Sequence, residues 1–223
     1  MATRLLIVGL FLFSAAAHGA TASASYSGVP VAIPDAADLS GTSPGLQVGA
    51  PIVVSGLTRP VGSVTLSIDG TACSAIAGST TVGIDHTFVN DLRITLRSPI
   101  GTEVVVINQT DGSGNNFCQV VLADASPGPS IQTVVTAQAP FTGSYKPNAV
   151  LAAFAGEPSN GAWTLLAQDF FSGDTGSIRA WTINVTEAAP VTATSIPTLS
   201  EWALIGLAGM LAMFGMGRMR SRV

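Results

Sequence analysis

Three stretches alternate apolar and polar side chains with a period of two: Val64-Thr-Leu-Ser-Ile68, Leu92-Arg-Ile-Thr-Leu96 and Trp181-Thr-Ile-Asn-Val185. That period places alternate side chains on opposite faces and predicts strands with one face buried. Val104-Val-Val-Ile107 is a continuous apolar run, expected of a strand covered on both faces. Trp163-Thr-Leu-Leu-Ala167 is a fifth predicted strand. Turn signals lie between them. Ser98-Pro99-Ile100-Gly101 fits a type I turn, and Asp69-Gly70, Asp111-Gly112 and Gly173-Asp174-Thr175-Gly176 mark further reversals. No helical period occurs between the two ends. Short strands with frequent turns predict an all-β domain, a jelly-roll-like β-sandwich, over residues 25–187.

The two ends follow a different pattern. Arg4, the apolar run Leu5–Phe13 and the small residues Ser14–Ala22 predict a secretory signal peptide over 1–22. Cleavage could follow Ala17, Ala20, Ala22 or Ala24, and Ala20-Thr21-Ala22 is the preferred Ala-x-Ala site. At the other end, a linker over 188–195 leads to Ile196-Pro197-Thr198-Leu199-Ser200-Glu201-Trp202. The uncharged stretch 203–217 predicts a transmembrane helix, short for a full span, and the tail 218–223 carries Arg218, Arg220 and Arg222. Basic residues stay on the cytoplasmic side, so the expected location is the inner membrane with a periplasmic ectodomain.

The segment 196–223 resembles the IPTL-CTERM protein-sorting signal of Gram-negative bacteria. The resemblance rests on the spelling of Ile196–Trp202, the short apolar stretch and the terminal arginines. It implies export, transient anchoring and cleavage near the motif by an exosortase-like transpeptidase or protease. The product would then reach the cell surface or the medium.

A second resemblance runs through the β-domain. Ile84-Asp-His86-Thr-Phe-Val-Asn90-Asp91-Leu92, Ser98-Pro-Ile-Gly-Thr102, Gly112-Ser-Gly-Asn-Asn-Phe117 and Pro140-Phe-Thr-Gly-Ser-Tyr-Lys-Pro147 are its first motifs. Gly161-Ala-Trp163-Thr-Leu165 and Gly173-Asp-Thr-Gly176 continue it, and Ile33-Pro34-Asp35 resembles the usual start. Together they resemble the P domain, or Homo B domain, which follows the catalytic domain in kexin- and furin-like proprotein convertases. Two features depart from the family pattern. Residues 71–83, with Cys73, look inserted, and Asn90 stands where the family has Gly.

Composition narrows the functional classes. Of 223 residues, 47% are hydrophobic and 10% charged, which excludes a disordered chain. The net charge of −4 offers no basic patch for phosphates, so nucleic acid is not an expected partner. Between residues 25 and 195 twelve acids face five bases, a surplus suited to cations.

The resemblance raises the question of proteolysis. A Ser-His-Asp site needs a base beside the nucleophile and a third group that orients the base. The β-domain has a single histidine, His86, and Ser43 in Gly41-Thr42-Ser43-Pro44 precedes it, against the Asp, His, Ser order of subtilases. No catalytic residues are therefore assigned, and His86 reads as structural. Zinc spacing is absent. Asp111–Asn116 begins like an EF-hand loop but has Asn116 at the sixth position and Leu122 at the twelfth. No cofactor is certain. For a calcium ion the candidate ligands are Asp91, Asp124, Asp169 and Asp174, and the alternative is that they bond backbone N–H groups at turns. Cys73 and Cys118 are expected to form one disulfide in an exported chain.

The expected function is a non-catalytic binding or structural module at the cell surface. Its partner would be an envelope protein, a glycan or a secreted protease. The alternative is an accessory domain that stabilises a separate subtilisin-like serine endopeptidase.

Overall fold

The computed structural model describes residues 18–191 and 199–220. The signal peptide expected over 1–22 lies mostly outside them, as do Ile196, Pro197 and Thr198 of the sorting motif. The first compact unit ends at Ala189, and the second begins at Pro190.

The first unit is all-β. One sheet holds eight strands, in the order β1 (Thr21–Tyr26), β12 (Trp181–Glu187), β4 (Val61–Ile68), β8 (Phe117–Leu122), β5 (Ile84–His86), β11 (Gly176–Ile178) and β2 (Val31–Ile33). Its eighth strand, β9 (Phe141–Tyr145), runs parallel to β8. The other sheet holds β3 (Val48–Val54), β10 (Gly161–Asp169), β6 (Leu92–Arg97) and β7 (Glu103–Asn108), in that order.

Inward side chains of both sheets form one core. Leu66, Phe117 and Ile183 of the larger sheet join Ile52, Leu96 and Leu165 of the smaller. Trp163 and Trp181 are fully buried, as their place in alternating strands predicts. The Trp163 indole N–H donates to the Ser159 carbonyl at 3.1 Å, so its polar handle is satisfied inside the core. Phe154 packs edge-on against the Trp163 ring with centroids 5.1 Å apart. Burying a side chain such as Phe154 contributes about 1.5–3 kcal/mol.

The five predicted strands all form. Val104–Ile107 differs in its surroundings. Its strand, β7, lies at the edge of the smaller sheet rather than in its centre. A bulge opposite Ile94 and Thr95 lets Val106 and Ile107 both turn inward. The outer edge is covered instead by backbone N–H groups of Asn148 and Ala149, which donate to the carbonyls of Val106 and Val105. The turn at Ser98 closes as expected, with Gly101 N–H donating to Ser98 O at 3.0 Å.

Residues 71–83 leave the sheet between β4 and β5 and return. Gly70 bridges to Val82, and Thr71 N–H donates to Thr81 O. The Cys73–Cys118 disulfide forms, with its Cα atoms 5.5 Å apart, and ties this excursion to β8. Gly70, at φ +152°, packs against that bridge. A Cβ there would meet Cys118 Sγ at 2.6 Å.

The second unit contains α1 (Leu199–Arg220). It covers the residues expected as a transmembrane helix, but the span itself is not upheld. Among the described residues no helix is long and apolar enough to cross a membrane. The uncharged run 203–217 rises about 22 Å at 1.5 Å per residue, against a hydrocarbon core of about 30 Å. Glu201, Arg218 and Arg220 lie within the helix on either side of it.

Candidate functional site

One end of the sandwich gathers the loops that carry most of the chemistry. β5 ends at His86, and a 3-10 turn, Val89–Asp91, leads into β6. β10 ends at Asp169, opposite Leu92 of β6. The chain then loops through residues 170–175 and re-enters at Gly176, which pairs with His86. The two loops therefore meet because the strands that flank them are in register. Gly176 permits this closeness, since a Cβ would lie 2.0 Å from Asp85 O and 2.7 Å from His86 Cδ2.

His86 sits beneath this end. Its Nε2 lies 3.3 Å from Asp169 Oδ2, and neither side chain is exposed. A carboxylate only accepts, so Nε2 carries the proton and Nδ1 accepts the Phe88 backbone N–H at 3.2 Å. Asp169 Oδ1 accepts the Phe171 N–H at 3.1 Å. Asn116 holds the same region from the other side. It accepts the His86 N–H and donates to the carbonyls of Ser74 and Ile76. The residue read as a failed EF-hand position is thus a buried clamp between β5 and the 71–83 excursion.

Of the four acids weighed for calcium, three come together and one does not. Asp91, Asp169 and Asp174 share this end of the domain. Asp124 lies elsewhere and accepts the N–H groups of Leu151 and Ala152, each at 2.8 Å. Asp169 is occupied by His86 and Phe171. Asp174 accepts the Thr87 hydroxyl at 2.6 Å through Oδ1. Among the described residues no group of three or more His, Cys, Asp or Glu is arranged to hold a metal ion.

Asp91 differs from the others. It is 5% exposed, and its carboxylate has no hydrogen-bond donor among the described residues. Burial, followed by the charges of Asp169 and Asp174, pushes its pKa up to about 6. It lines an open groove of about 420 Å³ with Asp174, Asn90, Phe88, Phe171 and Leu39. Three acids elsewhere pair with arginines: Arg179 with Asp85 at 3.1 Å, Arg59 with Glu187 at 2.8 Å and Arg97 with Glu103 at 2.5 Å. No such pair reaches Asp91 or Asp174 among the described residues. Arg93, the nearest arginine along the chain, stacks on Phe170 at 4.3 Å and donates to Asn108.

Ser43 does not join His86. It lies in the 35–45 loop, where its carbonyl accepts the Ala37 N–H. In the same loop Asp38 is held below its ordinary pKa by the Ser40 hydroxyl and N–H. Sequence reasoning singled out Asp91 and Asp174 but missed Leu39, Phe88 and Phe171. The adjacent Phe170-Phe171, directly after Asp169, was the available signal. Both follow the last residue of β10, and neither belongs to the buried core.

Comparison with known proteins places these features in families. Residues 78–185 match the family model of the proprotein convertase P-domain, and residues 194–221 match the IPTL-CTERM motif. The chain thus carries a P-domain followed by an IPTL-CTERM sorting motif. The matched P-domain begins after β4, although β1–β4 are built into the same two sheets. Of the sorting motif, Leu199, Ser200, Glu201 and Trp202 open α1. Leupeptin-inactivating enzyme 1 of Streptomyces exfoliatus is 28% identical over 141 residues, covering 63% of this chain and 23% of that protein. The chain therefore corresponds to about a quarter of that relative's length.

Proposed function

We propose that this is an exported, surface-sorted protein whose P-domain works as a non-catalytic binding module. The observation that carries the reading is the pairing of a P-domain with an IPTL-CTERM motif in one chain. The motif implies a sorting enzyme of exosortase type as a processing partner. It favours removal of the segment after residue 196 and delivery of the domain to the surface or the medium. The burial of His86 supports the non-catalytic half. A general base must reach the proton it abstracts, and this imidazole is fully enclosed with both nitrogens engaged, Nε2 by Asp169 and Nδ1 by the Phe88 N–H. An envelope protein or a glycan fits this reading as the bound partner.

A second reading makes the domain an accessory to a separately encoded subtilisin-like serine endopeptidase. It is favoured by the match to about a quarter of a larger enzyme, the Streptomyces protein. Co-purification of the released domain with a secreted protease would favour it.

Intact-mass analysis of each cell fraction tests the first reading. The expected species is found at the surface or in the medium and lacks both the N-terminal segment and the residues after about 196. A full-length species confined to the cytoplasm overturns it.

A further inference from the structure

We propose that the groove between the 87–91 turn and the 170–175 loop receives an arginine side chain of a partner polypeptide. The proposal rests on the reading of the domain as a binding module and names the chemistry of what it binds.

The charge is the first argument. Asp91 is almost wholly buried, yet its carboxylate meets no donor of its own chain among the described residues. Asp174 has spent Oδ1 on the Thr87 hydroxyl and keeps Oδ2 free. Both residues line the groove. Three carboxylate oxygens of groove-lining residues are therefore without a described partner. Burial and the neighbouring carboxylates raise Asp91 towards neutrality. An incoming cation relieves both the repulsion and the missing hydrogen bonds.

The walls select among cations. Leu39 is 73% and Phe88 38% exposed, and Phe171 is half-buried beside them. Apolar walls contribute nothing to a hydrated metal ion. Calcium takes six to eight oxygen ligands, and the described residues offer no group of three acidic, histidine or cysteine side chains placed for a metal. An arginine suits both parts of the site. Its methylene stem covers apolar surface, its guanidinium stacks on an aromatic face, and its fork of N–H donors meets a carboxylate bidentately. A lysine would supply the charge but neither the stacking nor the fork. The groove volume of about 420 Å³ is enough for one long side chain.

The structure also explains why the groove stays open. Asp35 holds the 170–175 loop by accepting the Gly173 N–H at 3.1 Å, and Ser172 N–H donates to Asp38 O. Asp169 fixes Phe171 through its N–H, and Phe170 N–H donates to Asp91 O. The aromatic wall and the acidic floor are thus anchored to the same residues, so the site is formed before a ligand arrives.

The test is a titration of the 15N-labelled full chain with acetyl-arginine methylamide, followed by two-dimensional NMR. Acetyl-citrulline methylamide, which has the same shape without the charge, is the comparison. The expected result is saturable shifts of the Asn90, Asp91, Phe171 and Asp174 amides with the arginine probe alone. Asp174→Asn and Asp91→Asn should each weaken binding about tenfold, the loss of one charge-assisted hydrogen bond. Asp174 lies in a loop, so its variant keeps the test readable should Asp91→Asn disturb folding. Equal shifts with the citrulline probe, or no saturable shift at these amides, overturn the proposal. Saturation of the same amides by calcium chloride, with displacement of the arginine probe, overturns it in favour of a metal. None of these outcomes touches the fractionation result, so failure here is distinguishable from failure of surface sorting.

Discussion

His86 Nε2 meets Asp169 Oδ2 at 3.3 Å with both side chains fully buried, and through this pair β5 is tied to the end of β10. The two strands belong to different sheets. The pair is therefore a polar link across the sandwich directly beneath the groove. Removing one partner leaves the other buried without its hydrogen bond, which costs about 3–5 kcal/mol. Asp169→Ala should lose this amount in urea unfolding, and it also frees the Phe171 N–H. A double-mutant cycle with His86→Ala should return a coupling of about 1–3 kcal/mol. A coupling near zero would show that the two side chains are merely neighbours.

Much of this was legible in the sequence, and the failures have physical causes. β4, β6 and β12 each expose one face to the core, so their alternation is clean. The short strands β2, β5 and β11 have three residues each, too few to display any period. β1 was hidden differently. Its Thr-Ala-Ser-Ala-Ser-Tyr sequence is composed of the small residues that a signal cleavage region also uses. At the site, the acids were visible as residue types. Their pairing states were not, because those depend on which backbone N–H groups the loops turn towards them. Asp124 and Asp91 look alike in sequence. One holds two N–H groups, and the other holds none among the described residues.

Asp91 gives the domain an unusual pH dependence. Its folded pKa of about 6 lies above the ordinary value of 3.8. Between these values the folded state binds the extra proton, so stability falls as pH rises through that window. A difference of this size corresponds to about 3 kcal/mol, and contact with solvent in the groove reduces this to about 1–2 kcal/mol. Asp91→Asn should remove the fall and leave the variant more stable than the parent above pH 6. Urea unfolding at pH 4 and pH 7 measures it. Glu187 acts in the opposite direction. The N–H groups of Thr58 and Arg59 hold its pKa below the ordinary 4.5, so its contribution is present above that value and lost on acidification. Glu187→Gln should therefore flatten the acid side of the same profile.

The disulfide should hold the 71–83 excursion more than the sheets. Cys73 lies in that excursion, whereas Cys118 is itself fully buried in β8. The bridge closes a loop of 45 positions, and loops of this size contribute about 2–4 kcal/mol. Cys73→Ser with Cys118→Ser should lower the urea midpoint accordingly. Hydrogen exchange should quicken first at Thr71 and Ala72, whose N–H groups both reach Thr81 O. Uniform acceleration across β4 and β12 would instead show that the bridge acts on the whole fold.

The N-terminal strand bears on where export processing falls. β1 begins at Thr21 and pairs with β12 through Thr21↔Thr186 and Ala22↔Val185. The Thr21 and Thr186 hydroxyls meet at 2.8 Å, and Ala20 O accepts the Glu187 N–H at 2.8 Å. Gly19 packs so closely on Glu187 that a Cβ there would lie 1.9 Å from its carbonyl oxygen. Cleavage after Ala22 would discard these contacts and expose part of the β12 edge. Cleavage after Ala17 also follows an Ala-x-Ala triplet, Ala15-Ala16-Ala17, and keeps the whole strand. The exported protein is therefore expected to begin at His18. N-terminal sequencing of the secreted or surface species checks this. A chain starting at Ser23 would show that β1 tolerates the loss of its first two pairs, and its Tm should then lie below that of a chain that retains them.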